Sequence, residues 1–359
     1  MSRFLMVDIG AGTMDILYYD TSAAQHYKAV VKSPVQTVAE RAAGLRGDLV
    51  VTGGEMGGGP VTEVLRKRAT EARVVMSTSA AATLSHRPEQ IRAWGIDVVD
   101  DAAAAELSRQ PSATHLVLED LDVDRLRHIV SAFGVPFEFD AVAVCAQDHG
   151  VPPAGTSHLV YRHDINTRVL NRQPFPHLLL YPGSEVPATL NRLKSIAAAA
   201  AAGLPTDEVY VMDSGMAAIL GASVDPLARA EKNALVLDIA TSHTVGATLV
   251  DGELAGFFEY HTRDLTLRRL ESLLRELADG RLTLEDILKE GGHGAYVRRT
   301  VGFDKLDIIL ATGPKRRLVD ASHLPITFGA PWGDNMMTGT VGLLEALRRC
   351  KDLEKITYL

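Results

Sequence analysis

Two segments of this chain, 230 positions apart, follow one scheme: Leu5-Met-Val-Asp8-Ile-Gly-Ala-Gly-Thr13 and Leu235-Val-Leu-Asp238-Ile-Ala-Thr-Ser-His243. Each reads as a buried strand ending in Asp-Ile, then small or hydroxylated residues, then further β-prone sequence, as in Asp15-Ile-Leu-Tyr-Tyr19. One such turn constrains little. Two, with Asp at the same place, point to a duplicated strand–turn–strand unit. Small residues let backbone N–H groups converge on one anion, and the hydroxyls of Thr13, Thr241, Ser242 and Thr244 add donors. Two such turns facing each other would grip a polyphosphate. The commoner phosphate motifs are absent: the chain has no Gly-Lys dipeptide, and Asp15 stands where a dinucleotide fingerprint needs its third glycine.

At about 150 residues per domain, a chain of 359 residues divides into two domains. A net charge of −8 leaves no broad basic surface, so nucleic acid is not an expected partner. The two cysteines, Cys145 and Cys350, form no CxxC pair, which excludes zinc ribbons and clustered iron–sulfur ligation and fits a reducing cytoplasm. The apolar run Phe4 to Val7 is too short for a signal peptide, and Ser195 to Leu204 is about half the length that spans a bilayer. The expectation is a cytoplasmic protein with no membrane span.

From residue 30 to 145, apolar runs at 48–52, 73–76, 114–118 and 140–145 alternate with helical patterns, which predicts an α/β fold with a mostly parallel sheet covered on both faces. Residues 146–183, with Pro152-Pro153, Pro174, Pro176 and Pro182, read as an irregular insertion. A helix is expected from about Pro187 to Ala202 and a strand at Val209 to Met212. Past residue 232, two β-rich runs meet at Asp251-Gly252, a type I′ hairpin signal. Asp264 to Ala278 carries Leu267, Leu270, Leu274 and Leu277 on one stripe, and Gly280 follows as the C′ residue of a helix. The expected division is a first domain over 1–232, a second over 233–345 and a tail over 346–359.

These segments resemble the superfamily of actin, the heat-shock chaperone ATPases and the sugar kinases. Asp8-Ile-Gly-Ala-Gly-Thr-Met-Asp15 is similar to its first phosphate motif and Asp238-Ile-Ala-Thr-Ser-His-Thr244 stands where the second belongs. Asp213 to Gly221 resembles the first connecting helix, Ile308 to Lys315 the adenosine loop, and Met337 to Gly342 the second connecting helix, all in the family's order. The resemblance implies a duplicated actin-like, ribonuclease H-like ATPase fold, two domains around a nucleotide cleft, with ATP and Mg²⁺ as cofactors. The second turn departs by lacking glycines and carrying His243, so that hydroxyls and imidazole would hold phosphate there. The adenosine loop departs with a single glycine, Gly313, before Pro314. There is a looser resemblance to a prokaryotic branch, some of whose members are labelled as activating enzymes for pyruvate formate-lyase. This chain lacks the cysteine triplet that such a radical enzyme needs.

On the family's pattern Asp8 and Asp238 hold the metal through waters and Asp15 lies near the terminal phosphate. Gly10, Ala11, Gly12, Thr13, Thr241, Ser242, His243 and Thr244 contact phosphate, and Gly313, Pro314 and Lys315 the nucleoside side. Gln147-Asp148-His149-Gly150 follows an apolar strand and resembles the Gln-x-His-Gly segment of carbohydrate kinases, so Asp148 is a candidate base and Gln147 and His149 candidate substrate contacts. The loop Gly53 to Gly59 holds five glycines around Glu55 and Met56, which suggests either close approach of a ligand, with Glu55 contacting substrate, or a flexible lid. No zinc spacing links His149, His158 and His163, which read as surface residues. The function expected is an ATP- and Mg²⁺-dependent phosphotransferase acting on a small polar metabolite. The alternative is an ATP-hydrolysing switch that acts on a partner protein; whether the chain pairs with itself or with another protein stays open.

Overall fold

In the computed structural model, which describes residues 2–22, 24–111, 113–153 and 155–357, the opening apolar run becomes β1 (Arg3–Ile9). It pairs antiparallel with β2 (Thr13–Asp20), which pairs antiparallel with β3 (Gln25–Lys32). The next four strands, β4 (Leu49–Gly53), β5 (Val74–Ser77), β6 (Ile96–Val99) and β7 (Thr114–Leu118), form a parallel sheet of their own in the order β6-β5-β4-β7. The runs at 48–52, 73–76 and 114–118 are strands as expected. They share a sheet with each other and not with the run at 140–145, and their core, around Leu49, Val51, Met76 and Leu116, is separate. Apolar runs announce strands; they do not announce partners.

The chain then returns to the first sheet with β8 (Ala141–Ala146), β9 (Tyr181–Pro182) and β10 (Val209–Asp213), giving the order β3-β2-β1-β8-β10-β9. Residues 146–183 contain a helix, His158–Arg172, where irregular chain is expected. Its buried positions are Arg162, Asn166 and Leu170, so two of the three residues on its inward stripe are polar and the helical period is masked.

The second half repeats the first. Strands β11 (Asn233–Ile239), β12 (His243–Val250), β13 (Glu253–His261), β14 (Gly294–Val297), β15 (Ile308–Thr312) and β16 (Ile326–Phe328) form a sheet ordered β14-β13-β12-β11-β15-β16. In each sheet a three-strand antiparallel meander is extended by two strands parallel to its first: β8 and β10 beside β1, β15 and β16 beside β11. This is the duplicated actin-like topology. Asp251 and Gly252 take φ of 54° and 79°, the two positive values a type I′ turn requires.

Alternation along the strands assigns each face to a core. Phe4 and Met6 point to a core shared with Ala234 and Val236 of the other sheet, while Leu5, Val7 and Ile9 face the helix Asn191–Gly203. Leu235 and Leu237 face the helix Leu267–Ala278 through Leu270 and Leu274. Between the two sheets lie the helices Ser214–Ser223 and Thr338–Cys350. They cross at glycines: a Cβ on Gly221 would stand 1.8 Å from the Thr338 carbonyl oxygen, and one on Gly342 1.8 Å from that of Ala217. The last helix runs through Cys350, past the expected start of the tail at 346. Among the described residues, no helix is long and apolar enough to cross a membrane.

Candidate functional site

The two turns repeat each other down to their hydrogen bonds. Gly10 N–H donates to the Thr13 carbonyl at 3.0 Å, and Ala240 N–H donates to the His243 carbonyl at 3.0 Å. In the first turn the carbonyls are tied back: Ser33 Oγ donates to Gly10 O at 2.6 Å, Gln36 Nε2 to Ala11 O at 3.2 Å and Ser33 N–H to Gly12 O at 3.1 Å. In the second, Thr262 serves both, its hydroxyl donating to Ala240 O at 2.7 Å and its N–H to Ser242 O at 2.8 Å. Among the described residues, the N–H groups of Ala11, Gly12, Thr241 and Ser242 have no protein acceptor. Each tip is therefore a cluster of free donors with its acceptors turned away, the arrangement that receives an anion. The tips meet, since a Cβ on Gly12 would lie 3.0 Å from Thr241 Cγ2. Thr244 is fully buried, and its hydroxyl shares a 2.9 Å hydrogen bond with that of Thr262.

Three carboxylates gather behind the turns. Asp8 and Asp15 are cross-strand partners in β1 and β2, and Asp238 is the penultimate residue of β11. Burial, opposed by a hydrogen bond with Cys145, lifts Asp8 to about 6. Burial and then the charge of Asp8 lift Asp15 to about 8, and the same two causes lift Asp238 to about 7. Asp15 Oδ1 is buried without a hydrogen-bond partner. Among the described residues, no Lys or Arg is hydrogen-bonded or ion-paired to any of the three. Two glycines leave them room: a Cβ on Gly339 would stand 2.0 Å from Asp8 Oδ2, and one on Gly313, at φ +91°, 2.7 Å from Asp238 Oδ1. Lys315 N–H donates to the Ile239 carbonyl at 2.8 Å and Asn335 Nδ2 to Gly313 O at 3.0 Å, which fixes the Gly313-Pro314-Lys315 loop against the end of β11. Pro314 and Lys315 are exposed there.

Beside the turns lies a buried ionic network that the sequence did not reveal. Arg162 Nη2 donates to Asp213 Oδ2 at 2.8 Å and Oδ1 at 2.9 Å, and its Nη1 donates to Glu259 Oε2 at 2.7 Å. One guanidinium thus joins β10 of the first sheet to β13 of the second. Burial raises Asp213; burial also pushes Glu259 up, but Arg162, followed by His243, brings it down to about 2. Gln147 Nε2 donates to Glu259 Oε1 at 2.6 Å. Asp148 is buried, and both its oxygens are engaged, accepting from Gly150 N–H at 2.7 Å and Leu193 N–H at 3.0 Å. His149 has a buried, unpartnered Nδ1, and its ring lies 5.4 Å from that of His158 and 5.7 Å from that of His293. His243, His261 and His293 cluster at the same sheet end, with ring centroids 4.2–4.7 Å apart. Burial depresses His243 to about 3 and His293 to about 4.

Glu55 Oε2 lies 2.9 Å from His86 Nε2. The glycines around it admit the protein itself. A Cβ on Gly53 would meet Leu118 O at 2.2 Å, one on Gly54 Ser195 Oγ at 1.9 Å, and one on Gly57 Val35 Cγ2 at 2.5 Å. Met56 is buried, so this loop is an anchored joint between the inserted sheet and the helix Asn191–Gly203. Arg192 of that helix completes the joint, donating from Nε to Asp120 Oδ2 at 2.7 Å and from Nη1 to Gln147 O at 2.8 Å.

Residues 56–318 match the family described as "Putative pyruvate format-lyase activating enzyme (DUF1786)", and the chain belongs to that family. No curated protein matches it. Among solved structures, it is similar to a PilM–PilN type IV pilus biogenesis complex at 14% identity, covering 96% of this chain and 97% of that one, with a TM-score of 0.42. It is similar to the ROK hexokinase from Thermus thermophilus at 14% identity, with 98% and 99% covered and a TM-score of 0.33. It is also similar to the activator of the 2-hydroxyisocaproyl-CoA dehydratase from Clostridium difficile with bound ADPNP, at 10% identity, 99% of both chains and a TM-score of 0.32.

Proposed function

We propose that this family member binds ATP with Mg²⁺ between its two turns and transfers the terminal phosphoryl group to a small polar acceptor. The observation that carries this reading is the matched pair of tips, whose four N–H groups lack acceptors while their carbonyls are held back by Ser33, Gln36 and Thr262. The carboxylates behind them suit a hard cation: all-oxygen donors, mutually repelling, one buried oxygen of Asp15 without a partner. Asp8 and Asp238 would hold Mg²⁺ and Asp15 would lie on its phosphate side; the ion neutralises charge on the transferring group. Gln147, His149 and Glu55 would contact the acceptor. Because Thr241 lies against the tip at Gly12, nucleotide entry would part the turns.

The activity in the family's description is not carried over. Radical chemistry of that kind needs several thiolates on one cluster, whereas Cys145 is buried next to Asp8 in the sheet and Cys350 is exposed at the end of the last helix. A second reading, an ATP-driven switch on a partner protein, is favoured by the Arg162 bridge, which joins the two halves and would break when they open.

One experiment tests both. The full chain is titrated with ATP in Mg²⁺ and in EDTA, then incubated with Mg²⁺–ATP and pooled metabolites while ADP and phosphorylated products are followed. Mg²⁺-dependent binding that Asp8→Asn and Asp15→Asn abolish, with a phosphorylated product, is the expected result. ADP without product selects the switch; no binding at millimolar ATP sinks both.

A further inference from the structure

We propose that His243, His261 and His293 form a binding site for one zinc-class divalent ion, distinct from the carboxylate site and independent of the nucleotide reading. The three come from adjacent places at one end of the second sheet. His243 begins β12, His261 ends β13 and is its cross-strand partner, and His293 precedes β14, its N–H donating to the Glu259 carbonyl at 2.8 Å. Each offers a ring nitrogen, and these atoms lie within 4.8 Å of one another. A tetrahedral ion bound at about 2.0–2.1 Å holds its nitrogens about 3.3 Å apart, a contraction that small side-chain rotations supply.

Most buried polar side-chain atoms have a hydrogen-bond partner. Here His243 Nε2 and His293 Nδ1 are both buried with no hydrogen-bond partner. Two unpartnered ring nitrogens in a cluster of three imidazoles give a metal ion ligands that no protein group already occupies. The nearby Arg162 is already bridged by two carboxylates, Asp213 and Glu259, which offset its charge. Three imidazoles select Zn²⁺, Co²⁺, Ni²⁺ or Cu²⁺ over Mg²⁺, whereas the oxygens of Asp8, Asp15 and Asp238 have the opposite preference. Three protein ligands leave a fourth position for water or a ligand oxygen, and His243 directly follows the second turn.

The test is a Co²⁺ titration of chelator-treated, tag-free full chain, followed by visible absorption. One equivalent per chain with intense tetrahedral bands, displaced by one equivalent of Zn²⁺ and unmoved by excess Mg²⁺, is expected. His261→Gln and His293→Gln should each weaken Co²⁺ binding more than about 100-fold, beyond what losing a merely supporting residue does. His158→Gln and Asp8→Asn should leave the titration unchanged. Circular dichroism checks each variant's fold; should His293→Gln unfold, the partly exposed His261 still decides. The proposal fails if the parent chain shows no tetrahedral band, if His261→Gln titrates like the parent, or if binding follows Asp8 instead.

Discussion

Arg162→Met isolates the charge that joins the two halves, because methionine keeps much of the apolar stem. The arginine side chain is 7% exposed and its partners Asp213 and Glu259 are 9% and 6% exposed, so its loss strands two carboxylates away from water. Removing one member of a buried ion pair costs about 3–5 kcal/mol. Remaining donors offset part of this, namely Gln147 on Glu259 and the N–H groups of Gly215 and Met216 on Asp213, which places the expected loss near about 3 kcal/mol. The pH dependence has a definite sign. In the parent, Glu259 is held at about 2, below its unfolded value of about 4.3, so its contribution is present above that value and fades as pH falls toward 2. Without Arg162, burial raises the carboxyl instead, and the variant loses stability as pH rises. The gap between the two proteins should therefore widen from about pH 5 to about pH 8. Urea unfolding followed by circular dichroism measures it, and Arg162→Met/Asp213→Asn/Glu259→Gln, which removes all three charges, should recover most of the loss. A single-variant cost below about 1 kcal/mol at pH 8, the level of a surface pair, or a triple variant as unstable as the single, would refute the reasoning.

Gly221→Ala and Gly342→Ala each push a methyl group into a carbonyl of the facing helix and should cost more than about 1–3 kcal/mol; since both are relieved by the same separation, a double-mutant cycle on thermal unfolding should show less than additive loss. Glu345 accepts from Arg348 Nε at 2.7 Å and Arg349 Nε at 2.6 Å, which outweigh burial and hold its carboxyl low. Glu345→Gln should therefore cost about 2 kcal/mol at pH 7, a difference that closes as pH falls below the unfolded carboxyl value, as melts across pH will test. Gly339→Ala places its methyl where Asp8 Oδ2 stands, so calorimetry should find Mg²⁺-dependent nucleotide binding at least about tenfold weaker.

What the sequence revealed was local. Asp8 and Asp238, the small residues after them and the Asp251-Gly252 turn are legible because strand period and turn chemistry act within a few residues. The Arg162 network is not, because its partners lie 51 and 97 positions away and only the folded sheets bring them together. The histidine cluster hid for the same reason: His243 drew notice as a departure in its turn, but His261 and His293 become its neighbours through strand pairing. Strand β6 went unread because its four residues are mostly half-exposed, leaving no apolar run. The glycines at 53–59 read as either a ligand's approach or a lid, and what they admit is the chain's own Leu118, Ser195 and Val35.

The contact between the tips accounts for the difference between the two turns. By their shared hydrogen bond, Gly10 corresponds to Ala240, Ala11 to Thr241 and Gly12 to Ser242. Where two tips meet, only one can carry a side chain at the contact. Thr241 lies against Gly12, where a Cβ would stand only 3.0 Å from Thr241 Cγ2. The contact accounts for glycine at position 12 opposite Thr241, and the N–H groups that would receive an anion are the same on both turns. His243, the residue after that turn, has its ring centroid 4.5 Å from that of His261 and 4.7 Å from that of His293. The two turns thus share their free backbone donors and differ in the side chains beside them.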